Sequence, residues 1–222
     1  MQDETSEQWL GDVDRRARAM TPGVWAVAAF TALYVAVATP AAWMSGNGEF
    51  IFYILVMLLL GGLIAAVHVR VKFATALLAC LSAWGLMHMA GGLAPVPERW
   101  PIDGEQRVLY SWWLIDGRLK YDQIVHAFGF GVTTWACWQA LSHSHRSIRP
   151  TAGVLLLCAV GGMGFGALNE VVEFVATLTM PETNVGGYEN TGWDLVFNAA
   201  GATLAAVTIR VAAAIRRTDD SP

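Results

Sequence analysis

Charge is scarce in this chain. Asp, Glu, Lys and Arg make up only 14% of its 222 residues, and 55% are hydrophobic. A soluble globular domain carries about a quarter charged residues, so this composition excludes that class and favours a membrane-embedded one. Cysteine is scarce too: Cys80, Cys137 and Cys158 all lie in apolar runs. An odd number without paired spacing excludes a disulfide framework and a CxxC metal site, leaving three small packing residues. The net charge of -4 is set partly by Asp3, Glu4, Glu7, Asp219 and Asp220 near the termini, and no basic stripe points to nucleic acid. Residues 1–20 are polar and acidic, with Arg15, Arg16 and Arg18 only at their end. They lack the apolar core of a cleaved secretory signal, so the first span is expected to direct its own insertion. Internal repeats and low-complexity tracts are absent as well.

What is abundant is long apolar sequence. Six runs reach the length of about 20 residues that a bilayer requires, near 23–44, 50–68, 74–93, 121–141, 152–178 and 193–215. Backbone in lipid must satisfy its own hydrogen bonds, and these runs lack the alternation of barrel strands, so each reads as a helix. The expected fold is all-α: a polytopic integral membrane bundle of six transmembrane helices over 21–217. A polar tail, 1–20, in which SEQWLGDVDRRARAM is suited to a surface helix, precedes the bundle, and a short tail, 218–222, follows it. The fifth run is overlong and glycine-rich, which leaves room for tilt or for unwinding around Gly161–Gly166.

Basic residues set the expected orientation. Arg15, Arg16 and Arg18, then Arg70 and Lys72, Arg146 and Arg149, and Arg216 and Arg217 all fall on one side, before span one, between two and three, between four and five and after six, whereas 45–49 and 181–192 on the other side carry no Lys or Arg. Both termini are therefore expected in the cytoplasm of a bacterial inner-membrane protein. Loop 94–120 departs from the rule with Arg99, Arg107, Arg118 and Lys120, but it also carries Glu98, Asp103, Glu105 and Asp116. Its Trp100, Tyr110, Trp112 and Trp113 suit an interfacial aromatic belt, and its length also fits a lid over a site.

With that topology the polar residues inside the spans fall at one depth. Tyr121 and Asp122 open span four, and His126 follows Asp122 by four residues. Asn169, Glu170 and Glu173 lie near the outer end of span five, and Asp194 and Asn198 near the outer start of span six. His88 lies near the outer end of span three. Residues three or four apart share a helix face, so two His, four carboxylates and an Asn converge on one layer. Carboxylates in spans usually face a bundle interior and mark function. Their load must be met by protons, a cation, or the loop's Arg118 and Lys120. The donor set suits zinc, iron or manganese, and the ExxE pair resembles the di-metal sites of helix bundles, where ExxH is the usual form.

Blander roles stand beside these. His88 fits a hydrogen-bonded core histidine, Asp194 a helix N-cap, and Asn198 a residue that joins helices. The pair Glu170 and Glu173 is the hardest to explain without a purpose. Gly162 and Gly166, at GxxxG spacing, read as points of close helix approach. His143 and His145 read as solvated.

The ordered elements MHMAGG, YDQIVHAFGFG, NEVVEF and WDLVFNAAGA resemble the bacterial inner-membrane family typified by YjdF. The last of them is also similar to the VanZ-like group, with its D–H motif, membrane glutamate and D…N…G segment. The resemblance implies a small polytopic membrane protein and places His88, Asp122, His126, Glu170, Glu173, Asp194 and Asn198 on the matching positions. For VanZ-like proteins it implies a link to glycopeptide resistance, although NExxE here departs from the usual E…Q arrangement.

Three functions remain open. One is a metal-dependent hydrolase or lipid-modifying enzyme working on a lipid or envelope substrate near the outer leaflet. In it His88, His126, Glu173 and Asp194 hold a divalent metal, Glu170 is the base and Asp122 orients His126. The second is a proton- or cation-coupled carrier, for which Ser82, Thr133, Thr134 and Thr203 are the main candidates to continue a path inward. The third is an assembly protein whose polar layer only fixes packing. The sequence does not set an oligomeric state.

Overall fold

The computed structural model describes residues 20–44, 46, 48–145, 147–180 and 183–219, with side chains up to Arg216. The N-terminal tail with Arg15, Arg16 and Arg18 lies outside the described residues, as do Arg146, Pro181 and Glu182. Six long helices follow in chain order: α1 Pro22–Met44, α2 Gly48–Val71, α3 Thr75–Leu93, α4 Tyr121–Ser144, α5 Ala152–Thr179 and α6 Tyr188–Asp219. The expected all-α bundle is therefore the observed one. Five of the six are long and apolar enough to cross a membrane; α4 is the exception. Its 24 residues include Asp122, Gln123, His126, Thr133 and Thr134, yet Gln123, His126 and Thr134 are all buried. The helix that falls short of a span by composition is enclosed by its neighbours.

Local chemistry starts the helices where they start. Pro22 stands at the first position of α1, where its missing N–H is not needed, and Thr21 Oγ1 accepts from Val24 N at 3.4 Å. Thr151 caps α5 in the same way through Val154 N. At α4 the Gln123 side chain accepts from the Lys120 backbone N–H at 3.0 Å. Two expectations are corrected here. α5 runs unbroken through Gly161–Gly166, since every backbone group in a lipid-facing segment must stay paired. α6 begins at Tyr188, so Asp194 lies inside the helix and is not its N-cap.

Glycines set the spacing of α4, α5 and α6. A side chain on Gly201 of α6 would run into the Ala127 carbonyl of α4, and a Cβ on Gly131 would stand 3.0 Å from the Gly201 carbonyl oxygen. On α5, a Cβ on Gly162 would stand 3.0 Å from the Phe130 carbonyl oxygen, and one on Gly166 would stand 2.6 Å from the Asn198 amide nitrogen. The GxxxG reading holds, with each glycine opposite a different helix. The first three helices pack on one another through side chains: Phe50 of α2 fills the space left by Gly92 of α3, beside Ala38, Ala42, Ile54 and Met89.

The connection between α3 and α4 is a small folded unit. Strands β1 Trp113–Ile115 and β2 Leu119–Lys120 pair antiparallel, and isolated bridges join Pro95 to Val108 and Ile102 to Trp112. Arg107 holds the turn by donating to the carbonyls of Pro97, Glu98 and Trp100. The rings of Trp100 and Trp112 stack at 4.3 Å.

Candidate metal centre

His126 lies one turn inside α4 and is almost fully buried. Each ring nitrogen meets a different set of side chains. Nε2 is 3.6 Å from Asp122 Oδ1, one turn back on α4, and 4.0 Å from Asp194 Oδ1 on α6. Nδ1 is 3.0 Å from Asn198 Oδ1 and 3.6 Å from Glu170 Oε1 on α5. An amide oxygen can only accept, so Nδ1 donates to Asn198, and Nε2 is left facing the two aspartates. The i,i+4 pair Asp194 and Asn198 thus brackets the imidazole, holding one nitrogen and facing the other.

Two groups of ligand atoms have the compactness that a metal ion needs, with all their atoms within 4.8 Å of one another. One is Asp122, His126 and Asp194; the other is His126, Glu170 and Glu173. The carboxylates differ in how they are held. Asn190 donates to Asp194 Oδ2 at 2.7 Å, and Asn169 donates to Glu173 Oε1 at 2.7 Å. Among the described residues, no hydrogen-bond donor reaches Asp194 Oδ1 or either oxygen of Glu170, although all three are buried. Buried charged atoms without donors are costly, and a cation is one means of offsetting them.

The positive charge nearest this layer is Lys120, which is itself buried. Its Nζ donates to Asp103 Oδ2 at 3.2 Å and to Asn190 Oδ1, so one Asn joins Lys120 to Asp194. Arg118 is exposed on the turn between the strands. Of the two loop cations, Lys120 is the one brought to the layer.

The remaining candidates lie at the edge of the layer. His88 falls in neither ligand group; its Nδ1 pairs with the Tyr110 hydroxyl, and its ring meets Trp84 edge-on at 5.4 Å. Burial first, and then the charges of Asp122 and Glu173, push the Tyr110 hydroxyl well above the ordinary tyrosine range, so it stays a donor. Tyr121 donates to the Met87 carbonyl at 3.1 Å, fixing α4 against α3. His143 and His145 are exposed, as expected of solvated residues. The inward hydroxyls are locally satisfied: Thr133 and Thr134 bond the carbonyls of Gly129 and Phe130, and Ser82 bonds Thr31 at 2.6 Å. Thr203 is exposed.

Sequence reading missed Glu49 and Asn190. Glu49 is buried at the start of α2, and its Oε2 accepts from the Asn184 backbone N–H at 2.9 Å. The available signal was its position at the same end of the bundle as the other acids. Asn190 carried no signal, because its role depends on Lys120, 70 residues earlier in the chain.

Residues 22–214 match a family described as predicted membrane protein (DUF2238). A Thermotoga maritima protein described as an uncharacterized protein is 30% identical over 92 residues, which is 40% of this chain and 48% of the relative. The matched stretch thus spans about half of that relative's length. No solved structure matches.

Proposed function

Because this chain belongs to the DUF2238 family of predicted membrane proteins, we propose that it is a multi-pass inner-membrane hydrolase. In this reading it binds a divalent metal and acts on a lipid or envelope ester near the outer leaflet. The observation that carries the reading is the arrangement about His126: Nε2 faces two aspartate oxygens, and Nδ1 is held by Asn198. Metal-ligating histidines are usually fixed in this way through the second nitrogen. Asp122, His126 and Asp194 would hold zinc, iron or manganese, leaving a position open for water. The metal would lower the pKa of that water.

The protein's own groups do the rest. Glu170, whose oxygens have no donor among the described residues, would be the base that accepts a proton from water, and Glu173 is kept in place by Asn169. Lys120 and Asn190 hold Asp194. His88 acts in this reading through Tyr110, as part of the wall. The orientation with both termini cytoplasmic, and the likeness to YjdF-type and VanZ-like proteins with its envelope connection, belong to the same proposal. The locally satisfied Thr133, Thr134 and Ser82 offer no continuous polar path inward, which supports an enzyme over a carrier.

The test is metal analysis by mass spectrometry of protein purified in mild detergent without chelator or polyhistidine tag, beside His126→Ala. Near-stoichiometric metal that disappears in the variant is the expected result. A folded wild type that holds no metal, even after incubation with zinc, iron(II) or manganese, would sink the reading.

A further inference from the structure

The opposite end of α4 carries a second feature, unrelated to the polar layer. Beyond the close crossing at Gly131 and Gly201, α4 presents two large rings one turn apart, Trp135 and Trp138. The facing side of α6 presents Ile209, Ala212, Ala213 and Arg216, the i, i+3, i+4, i+7 positions of one helix face. Large rings opposite a floor of alanines leave a cavity of about 320 Å³ between the two helices. The two indoles, Pro150, Ile209 and the alanines supply its carbon surface, and Arg216 supplies the positive charge at its end. Arg210 lies beside it, donating to the Pro150 carbonyl at 3.2 Å, and among the described residues no acidic side chain lines the cavity.

The geometry points to a binding site for one anionic glycerophospholipid between α4 and α6, at the end of the bundle remote from His126. An acyl chain lies along Ala212 and Ala213 against the two indoles, and the phosphate meets the Arg216 guanidinium. Tryptophan and arginine at a helix end belong at the headgroup level, where basic pockets between helices select acidic lipids. The cation and the apolar floor lie in one groove, so the ligand must carry both a phosphate and a hydrocarbon chain. Free phosphate has only the first. This inference is independent of the metal reading.

The experiment uses the full chain, exchanged into micelles that contain equal amounts of phosphatidylglycerol and phosphatidylcholine. Native mass spectrometry then counts the lipid retained. The wild type is expected to keep one phosphatidylglycerol per chain in preference to phosphatidylcholine, and excess inorganic phosphate is expected not to displace it. One arginine near a headgroup contributes about 1 kcal/mol, so Arg216→Ala should weaken retention about fivefold. Ala213→Leu fills the floor without touching charge and should weaken it as well, and the melting temperature in lipid-free detergent shows that each variant is folded. Equal retention of the two lipids, displacement by phosphate, or full retention by both folded variants would overturn the proposal. So would a dimer that buries the groove and excludes lipid.

Discussion

Helices α2 and α4 have the same length, 24 residues, and opposite character. α2 is the most apolar of the candidate spans and, with α1, the least enclosed, with Leu55, Leu58, Leu59, Leu60 and Leu63 all exposed. α4 is too polar to be recognised as a span by composition, and it buries His126, Gln123, Phe130 and Thr134 among its neighbours. In water the two would exchange places. Lipid is as apolar as leucine, so burying α2 would gain little, whereas exposing Asp122 or His126 to lipid would cost several kcal/mol per group. What holds α4 at the centre is backbone proximity and polar pairing.

The strongest way to break this contrast is at the crossing. Gly201→Leu places a side chain against the Ala127 carbonyl, which cannot move without moving α4. The variant is expected not to yield folded, monodisperse protein on size exclusion. Next comes a charge on the lipid side. Leu59→Lys should raise the insertion free energy of α2 by about 3 kcal/mol, measured with a glycosylation-reporter insertion assay. Packing without charge comes third: Phe130→Ala, at a residue 2% exposed, should cost about 3 kcal/mol, read as a lower denaturation midpoint. Leu59→Ala should change stability by about 0.5 kcal/mol or less. If Leu59→Ala proved as damaging as Phe130→Ala, α2 would have to be covered by a partner rather than by lipid.

The same contrast explains what could be read in advance. Six helices and their order followed from the apolar runs, because length and charge are local properties. The shared depth of Asp122, His126, Glu170, Asp194 and Asn198 followed from helical spacing and a basic-residue count, and the contacts about His126 match it. The pairing within that layer was not legible. Asp122 lies beside Nε2 of His126, and the hydrogen bond from Nδ1 goes to Asn198, which spacing alone did not assign to it. Sequence distance hides such choices, since each depends on which side of an imidazole a residue 72 positions away arrives. The continuity of α5 was also hidden, because glycines that could end a helix instead let α4 and α6 approach it.

The tie from Lys120 through Asn190 to Asp194 also has a temporal consequence. Asn190, Asp194 and Asn198 all belong to α6, the last long helix in chain order. Until it leaves the translation machinery, Lys120, Asp122, His126 and Glu170 have none of these partners, and the nascent bundle carries unmatched charge in the bilayer. Arrival of α6 and closure of the polar layer are then one event. Chains arrested after residue 180 should accordingly be degraded faster in pulse–chase labelling than full-length chains, and equal lifetimes would show that the layer tolerates waiting.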